Sequence, residues 1–511
     1  MAAKLILLFA FFAVMILVGI LVRKSATSVD GFVLGGRNVG PWLTAFAFGT
    51  SYFSAVVFVG YAGQFGWKYG LASTWIGLGN AFIGSLMAWV ILGRRTRIMT
   101  HHLEAATMPD FFGKRFDSPR LRIAASAIVF IFLIPYTASL YNGLSRLFGM
   151  AFDIPYVVCV ILMAALTGVY VIVGGYMATA VNDFIQGIIM IFGICAIIVA
   201  VLQSQGGFMA AVRTLAEIPS DVPVTAGQPG AFTSFFGPDP VNLLGVVILT
   251  SLGTWGLPQM VHKFYTIKNE KAVQTGTIIS TIFAIIIAGG CYFLGGFGRL
   301  FDNPSIYAAN GNITYDAIVP SMLSTLPDIL IGVVVILVLS ASMSTLSSLV
   351  LTSSSTLTLD LLKDNVIKDM DEKKQLKTMR LLIVFFIAIS VILAIKPPTF
   401  IAQLMGISWG ALAGAFLAPF LYGLFWKKTT VLSVWASFIC GVGITVLNMF
   451  IKFIASPINA GAAAMIAGLI VVPIVSLVTP KLNKEKVDGI FACYDEEVQV
   501  KRKVALPEKE M

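Results

Sequence analysis

Apolar residues run along this chain in long stretches, separated by short clusters of glycine, proline and charge. A helix needs roughly 20 mostly apolar residues to cross a bilayer. Thirteen stretches qualify, at about 3–22, 43–64, 71–93, 123–147, 156–174, 184–203, 241–260, 275–298, 328–357, 379–396, 400–425, 431–453 and 462–479. The first is too long for the apolar part of a secretory signal. The Arg23-Lys24-Ser25 that follows it is no small-residue cleavage site. The expectation is therefore an all-α, polytopic membrane protein of about thirteen spans.

Composition agrees: 58% of the 511 residues are hydrophobic and 12% are charged. A soluble domain carries about 25% charge, so this chain lacks the polar side chains to cover a water-facing surface. The net charge of +10 would hint at nucleic acid in a soluble protein. Here it sorts by loop instead. With the amino terminus outside, 28 of the 35 Lys and Arg fall on the cytoplasmic side, Lys263 and Arg122 among them. That places the carboxyl terminus in the cytoplasm of a plasma (inner) membrane protein, with the lipid bilayer as partner and no nucleic acid. Five cysteines without a CxxC, and three histidines in basic loop segments, point to neither disulfides nor a zinc site.

The divisions follow from the spans: 1–42, first span and loop; 43–203, a block of five spans; 204–240, an outer loop; 241–426, a second block of five; 427–480, two further spans; 481–511, a charged tail. The first span of each block looks interrupted. Phe48-Gly49-Thr50-Ser51-Tyr52-Phe53-Ser54-Ala55 puts a glycine and three hydroxyls near mid-membrane, and Ser251-Leu252-Gly253-Thr254-Trp255-Gly256-Leu257-Pro258 holds two glycines and a proline. Matched interruptions in two halves point to a transporter site. Small residues are also common at tight helix contacts. An odd number of spans per block inverts the second against the first.

In the ninth span Ala341, Ser344, Thr345 and Ser348 fall at i, i+3, i+4 and i+7, one stripe of a helix bordered by Ser347. Neutral oxygens without nitrogen or sulfur suit a hard monovalent cation, and the same stripe serves as a polar packing seam. Among the acids, Asp183 stands at the mouth of the sixth span. There it either caps a helix or serves an ion or proton path. Asp360, at the end of the ninth span, is expected at the solvated interface.

Three segments carry a family resemblance. They are Phe32-Val33-Leu34-Gly35-Gly36-Arg37, Tyr170-Val171-Ile172-Val173-Gly174-Gly175-Tyr176-Met177-Ala178 and Met343-Ser344-Thr345-Leu346-Ser347-Ser348. Together they resemble the sodium:solute symporter family, over roughly Gly31 to Trp426, with Tyr176 departing from the usual signature. The resemblance implies a five-plus-five inverted-repeat core with flanking helices. It implies Na+ as coupling ion, with no other cofactor. Its ligands would be the carbonyls of Thr50, Phe53 and Ala341 and the hydroxyls of Ser344 and Thr345. Members resembling the sialic-acid transporters have a second sodium site, which here would be Asp183, Ser344, Ser347 and Ser348.

Two departures bear on the solute. Proline symporters carry an Asp where this chain has Tyr52, and sialic-acid transporters an Arg in the fourth span, where this chain reads Leu133-Ile134-Pro135-Tyr136-Thr137-Ala138-Ser139. The stretches Ser54–Gly60, Trp67–Gly70 and Ile395–Pro398 look more like the pantothenate and short monocarboxylate members. The expectation is a sodium symporter, functional as a monomer, importing a small organic solute, most simply a small carboxylate. Proline-type amino acids and sugars are the alternatives. The solute would sit beside the break, near Tyr52, Ser54, Phe58, Gln64, Tyr136 and Trp255, although Phe58, Tyr136 and Trp255 serve equally as packing or lipid-facing aromatics. A channel lacks a filter-like loop here, and an intramembrane enzyme lacks a catalytic constellation within the spans. A proton carried by Asp183 in place of sodium stays open.

Overall fold

A computed structural model describes residues 2–152, 155–324, 326–363, 365–396 and 400–495. The Pro397-Pro398 of the sequence comparison and the tail from 496 lie outside the described residues. The principal helices are α1 (Ala2–Leu21), α2 (Pro41–Tyr52), α3 (Val56–His102), α4 (Pro119–Phe152), α5 (Tyr156–Ser204), α6 (Pro240–Leu252) and α7 (Pro258–Tyr265). They continue as α8 (Glu270–Gly295), α9 (Asp328–Leu362), α10 (Glu372–Ile395), α11 (Ile401–Phe425), α12 (Val431–Ile451) and α13 (Pro457–Val478). The described residues are all-α, with no sheet among them.

Ten helices among the described residues are long and apolar enough to cross a membrane, with a shorter apolar run at Ile6–Leu21. The thirteen sequence stretches do not map onto them one for one, because two helical runs double back. α3 and α5 contain 47 and 49 residues. At 1.5 Å per residue a straight helix of that length would reach ~70 Å, against a hydrocarbon core of ~30 Å. In α5 the reversal is at Gly175 (φ 56°, ψ −151°), a conformation that only glycine adopts readily. α1 then packs on both arms: its Gly19 lies against Tyr170, and its Met15 carbonyl accepts from Asn182. In α3 it is at Gly70 (φ 59°, ψ −140°), after which Ser73 donates to the Tyr292 carbonyl at 2.8 Å. No separate loop is needed at either place.

α9 and α11 form the interior. In α11, 89% of the most apolar window is buried, against 33% in α10 and in α12. The outer helices turn Leu381, Ile392, Ile439 and Phe450 outwards. Apolar faces of that extent suit lipid rather than water. Polar ends are capped: Asp371 accepts from the Lys374 N–H at the start of α10, and Thr430 and Ser433 form a capping box on α12. The 204–240 connection contains the helix Phe208–Glu217, and the tail begins with the helix Lys484–Phe491.

Candidate functional site

Both interruptions read from the sequence are real breaks. α2 ends at Tyr52 because Phe53 leaves helical geometry (φ −105°, ψ 89°). Ser54 starts the next helix as its cap, accepting the Val56 N–H on Oγ at 3.2 Å and the Phe58 N–H on its carbonyl at 3.1 Å. In the second block, α6 gives way to the short turn Gly253–Trp255. Leu257 is extended (φ −84°, ψ 121°), and α7 restarts with Pro258 at its first position. Each break leaves carbonyls at the end of one half-helix and N–H groups at the start of the next without helical partners.

The carbonyl of Thr50, in the last turn of α2, faces α9. It lies 3.1 Å from Ser344 Oγ and 3.3 Å from Thr345 Oγ1, both of which donate to it. Thr345 Oγ1 is also 3.1 Å from the Ala341 carbonyl and 3.3 Å from that of Ser51. Ser344 Oγ has the Ser340 carbonyl at 3.0 Å as an alternative acceptor within its own helix. Thr50, Ala341, Ser344 and Thr345 are all buried. This brings together two carbonyls and two hydroxyls from the expected first set. Phe53 stands at the break itself, and with Ala341, Ser54 and Phe58 it lines one small cavity against Met190 and Leu337.

The expected solute residues divide into groups. Ser54 and Phe58 face that cavity. Tyr52 stacks on Phe53 at 4.3 Å and lies 6.2 Å from the Trp409 ring, which meets Tyr136 edge-on at 5.9 Å. Trp255 is elsewhere, donating from Nε1 to the Ile83 carbonyl at 3.0 Å, and Gln64 is buried further along α3. Trp409 was not singled out in the sequence. A lone tryptophan in an apolar span carries no positional signal.

The second set is differently furnished. Asp183 and Ser348 are drawn together by Lys263, whose Nζ donates to Ser348 Oγ at 2.8 Å and lies 3.8 Å from Asp183 Oδ2. Lys263 is 2% exposed, so it is no loop charge. Its place in the cytoplasmic count is corrected, because it sits inside α7, where every residue is buried. His262 beside it is likewise buried, not in a loop. Ser347 Oγ turns to the Ser344 carbonyl at 2.9 Å.

Asp360 also departs from expectation. It is fully buried, accepting from Arg122 Nε at 2.9 Å and Thr107 Oγ1 at 2.5 Å. The charged end of α9 is thereby held to α4 and to the short helix Met108–Arg115. In that helix burial lowers the Arg115 guanidinium to about 10, from its ordinary value. Its Nε donates to the Gly423 carbonyl at 2.9 Å.

Residues 32–441 match the model of the Sodium:solute symporter family. The chain is 27% identical over 487 residues to the osmoregulated proline transporter of Bacillus subtilis, covering 95% of this chain and 96% of that one. It is 29% identical over 434 residues to the sodium/pantothenate symporter of Haemophilus influenzae, covering 83% and 85%. In fold it resembles a Na+-coupled sialic acid symporter solved in a substrate-bound, outward-open state. The TM-score is 0.75 at 19% identity, over 94% of this chain and 98% of that one.

Proposed function

This chain belongs to the sodium:solute symporter family, and from that premise we propose that it imports a small carboxylate of the monocarboxylate or pantothenate type together with Na+, by alternating access. It is a multi-pass membrane transporter and not an enzyme. The observation that carries the reading is the cluster of neutral oxygens shared by the α2 break and α9, around the Thr50 carbonyl. Bound Na+ would take the carbonyls of Thr50, Phe53 and Ala341 and the lone pairs of Ser344 and Thr345. The Ser344 proton has the Ser340 carbonyl to go to. The ion would thus pin α2 to α9 and hold the break in shape.

The solute would meet the other side of the same break. There the Ser54-capped start of α3 presents the positive end of the helix dipole, which favours an anion. No acidic residue lines the Phe53–Ala341 cavity, so an amino group would find no counter-charge. That supports a simple carboxylate over an amino acid. One charge crossing 100 mV supplies about 2.3 kcal/mol before any sodium gradient is added. The same reading places the amino terminus outside, the carboxyl terminus in the cytoplasm and one chain as the working unit.

The test is uptake of labelled lactate, pantothenate and proline into proteoliposomes with and without an inward sodium gradient. Sodium-dependent accumulation of a carboxylate is the expected result. Accumulation of proline alone would replace the substrate class, and sodium-independent flux of every solute would remove the symport reading.

A further inference from the structure

Lys263 occupies an unusual position. A lysine in the membrane interior normally reaches the interface by extending its stem, yet this one stays enclosed on the second broken helix. Its ammonium donates to Ser348 Oγ at 2.8 Å, stands 3.8 Å from Asp183 Oδ2 and 5.3 Å from the centre of the Tyr176 ring. Neither Asp183 oxygen accepts a hydrogen bond among the described residues. The ammonium is thus the counter-charge of a carboxylate 0% exposed. A buried carboxylate without a counter-charge is strongly disfavoured.

Asp183 and Ser348 are also two of the side chains that would make up a second cation site. The cation position beside them is already served by a charge that belongs to the protein. We propose that Lys263 is a tethered cation standing in the second ion site, so that this symporter binds a single exchangeable Na+. The inference rests on the sodium-symport reading above. An ammonium and a sodium ion carry the same charge and seek the same oxygens. Both together on one carboxylate would leave a net positive charge buried, so the lysine excludes the second ion.

The placement also links the lysine to the first site. Ser348 Oγ lies 2.9 Å from Ser51 Oγ, and the carbonyls of Ser51 and its neighbour Thr50 both approach Thr345. The bond from Lys263 therefore continues through Ser348 to Ser51, the neighbour of Thr50, a ligand of the coupled ion. It joins α7 to α5, α9 and α2, which are elements of both repeats. Lys263 acts as a positioning residue for that site while filling the other.

The test counts sodium without needing the solute. Labelled 22Na+ binding to purified full-length protein should saturate at one ion per chain. Lys263→Gln should raise the count to two, and Lys263→Gln with Asp183→Asn should return it to one. Lys263→Arg, which keeps the charge, should stay at one. Two ions bound by the unaltered protein, or one by folded Lys263→Gln, would overturn the inference and leave symport intact. No sodium bound by the unaltered protein would instead overturn the reading beneath it. If Lys263→Gln does not fold, Asp183→Asn alone decides: a count still at one supports the tethered cation. A fall from two to one refutes it.

Discussion

The Tyr52 hydroxyl donates to the main-chain oxygen of Thr250 at 2.6 Å, joining the first broken helix to the second. Thr250 lies in the last turn of α6, where carbonyls lack helical donors. The phenol therefore serves the end of one repeat from the break of the other. Three further bonds stitch the same seam: Thr254 to the Gly84 carbonyl, Trp255 to that of Ile83 and Ser251 to Asn80 Oδ1. They meet α3 in its π-helical stretch Asn80–Met87. Wider turns of that kind often mark functional regions.

Tyr52→Phe keeps the ring stack and removes this one bond. A lost buried hydrogen bond costs about 1 kcal/mol, which corresponds to about fivefold in an equilibrium. We expect about that loss in apparent solute affinity with expression unchanged, measured as the concentration dependence of uptake. Unchanged affinity would mean that the seam does not move in the cycle.

Ser344→Ala and Thr345→Ala each remove one hydroxyl from the oxygen cluster. Each variant should raise the sodium concentration for half-maximal uptake by about tenfold, equivalent to ~1.4 kcal/mol. Ser355→Ala, farther along the same helix, should not. Uptake at graded sodium concentrations reads this directly, and an unshifted curve in both site variants would place the ion elsewhere.

Arg122→Ala strands the buried Asp360 carboxylate. Breaking a buried pair from one side costs about 3–5 kcal/mol, so the variant should lose most folded protein in a thermal-melt assay. Adding Asp360→Asn removes the stranded charge and should recover part of the loss. Equal stability of the single and double variants would contradict the pairing as the cause.

Gly175→Ala places a Cβ 2.8 Å from the Phe32 ring and 2.9 Å from the Phe32 carbonyl, at φ +56°. Backbone strain of this kind costs on the order of 1–3 kcal/mol, and the clash adds to it. Size-exclusion profiles of detergent-solubilised protein should show a smaller monodisperse peak than for Gly206→Ala, which shares a positive φ (+77°) but whose Cβ meets only the Ala210 side chain at 3.4 Å, so that the difference reads the clash.

Much of the site was legible because it depends on local spacing. Glycine, proline and hydroxyls at Gly49–Ser54 and Ser251–Pro258 announce the breaks, and the i, i+3, i+4, i+7 stripe announces the α9 oxygens. Lys263 and Asp360 were misplaced for one physical reason. A charge beside a basic loop looks solvated unless its partner is known, and these partners are Asp183 and Arg122, far away in sequence. The expected loop after Gly174 failed differently. Glycine let the chain reverse inside one helical run.

The two glycine reversals also determine where this protein can be handled. At Gly70 the chain turns tightly under Phe232, whose carbonyl would lie 2.1 Å from an added Cβ, and at Gly175 it turns against Phe32. An epitope tag or protease site inserted at either turn would have to displace packed backbone. Gly227, in the 204–240 connection, has open space around it and the exposed Val224 nearby. A probe grafted there leaves the helices undisturbed, which makes that connection the natural attachment point for a label that reports on transport.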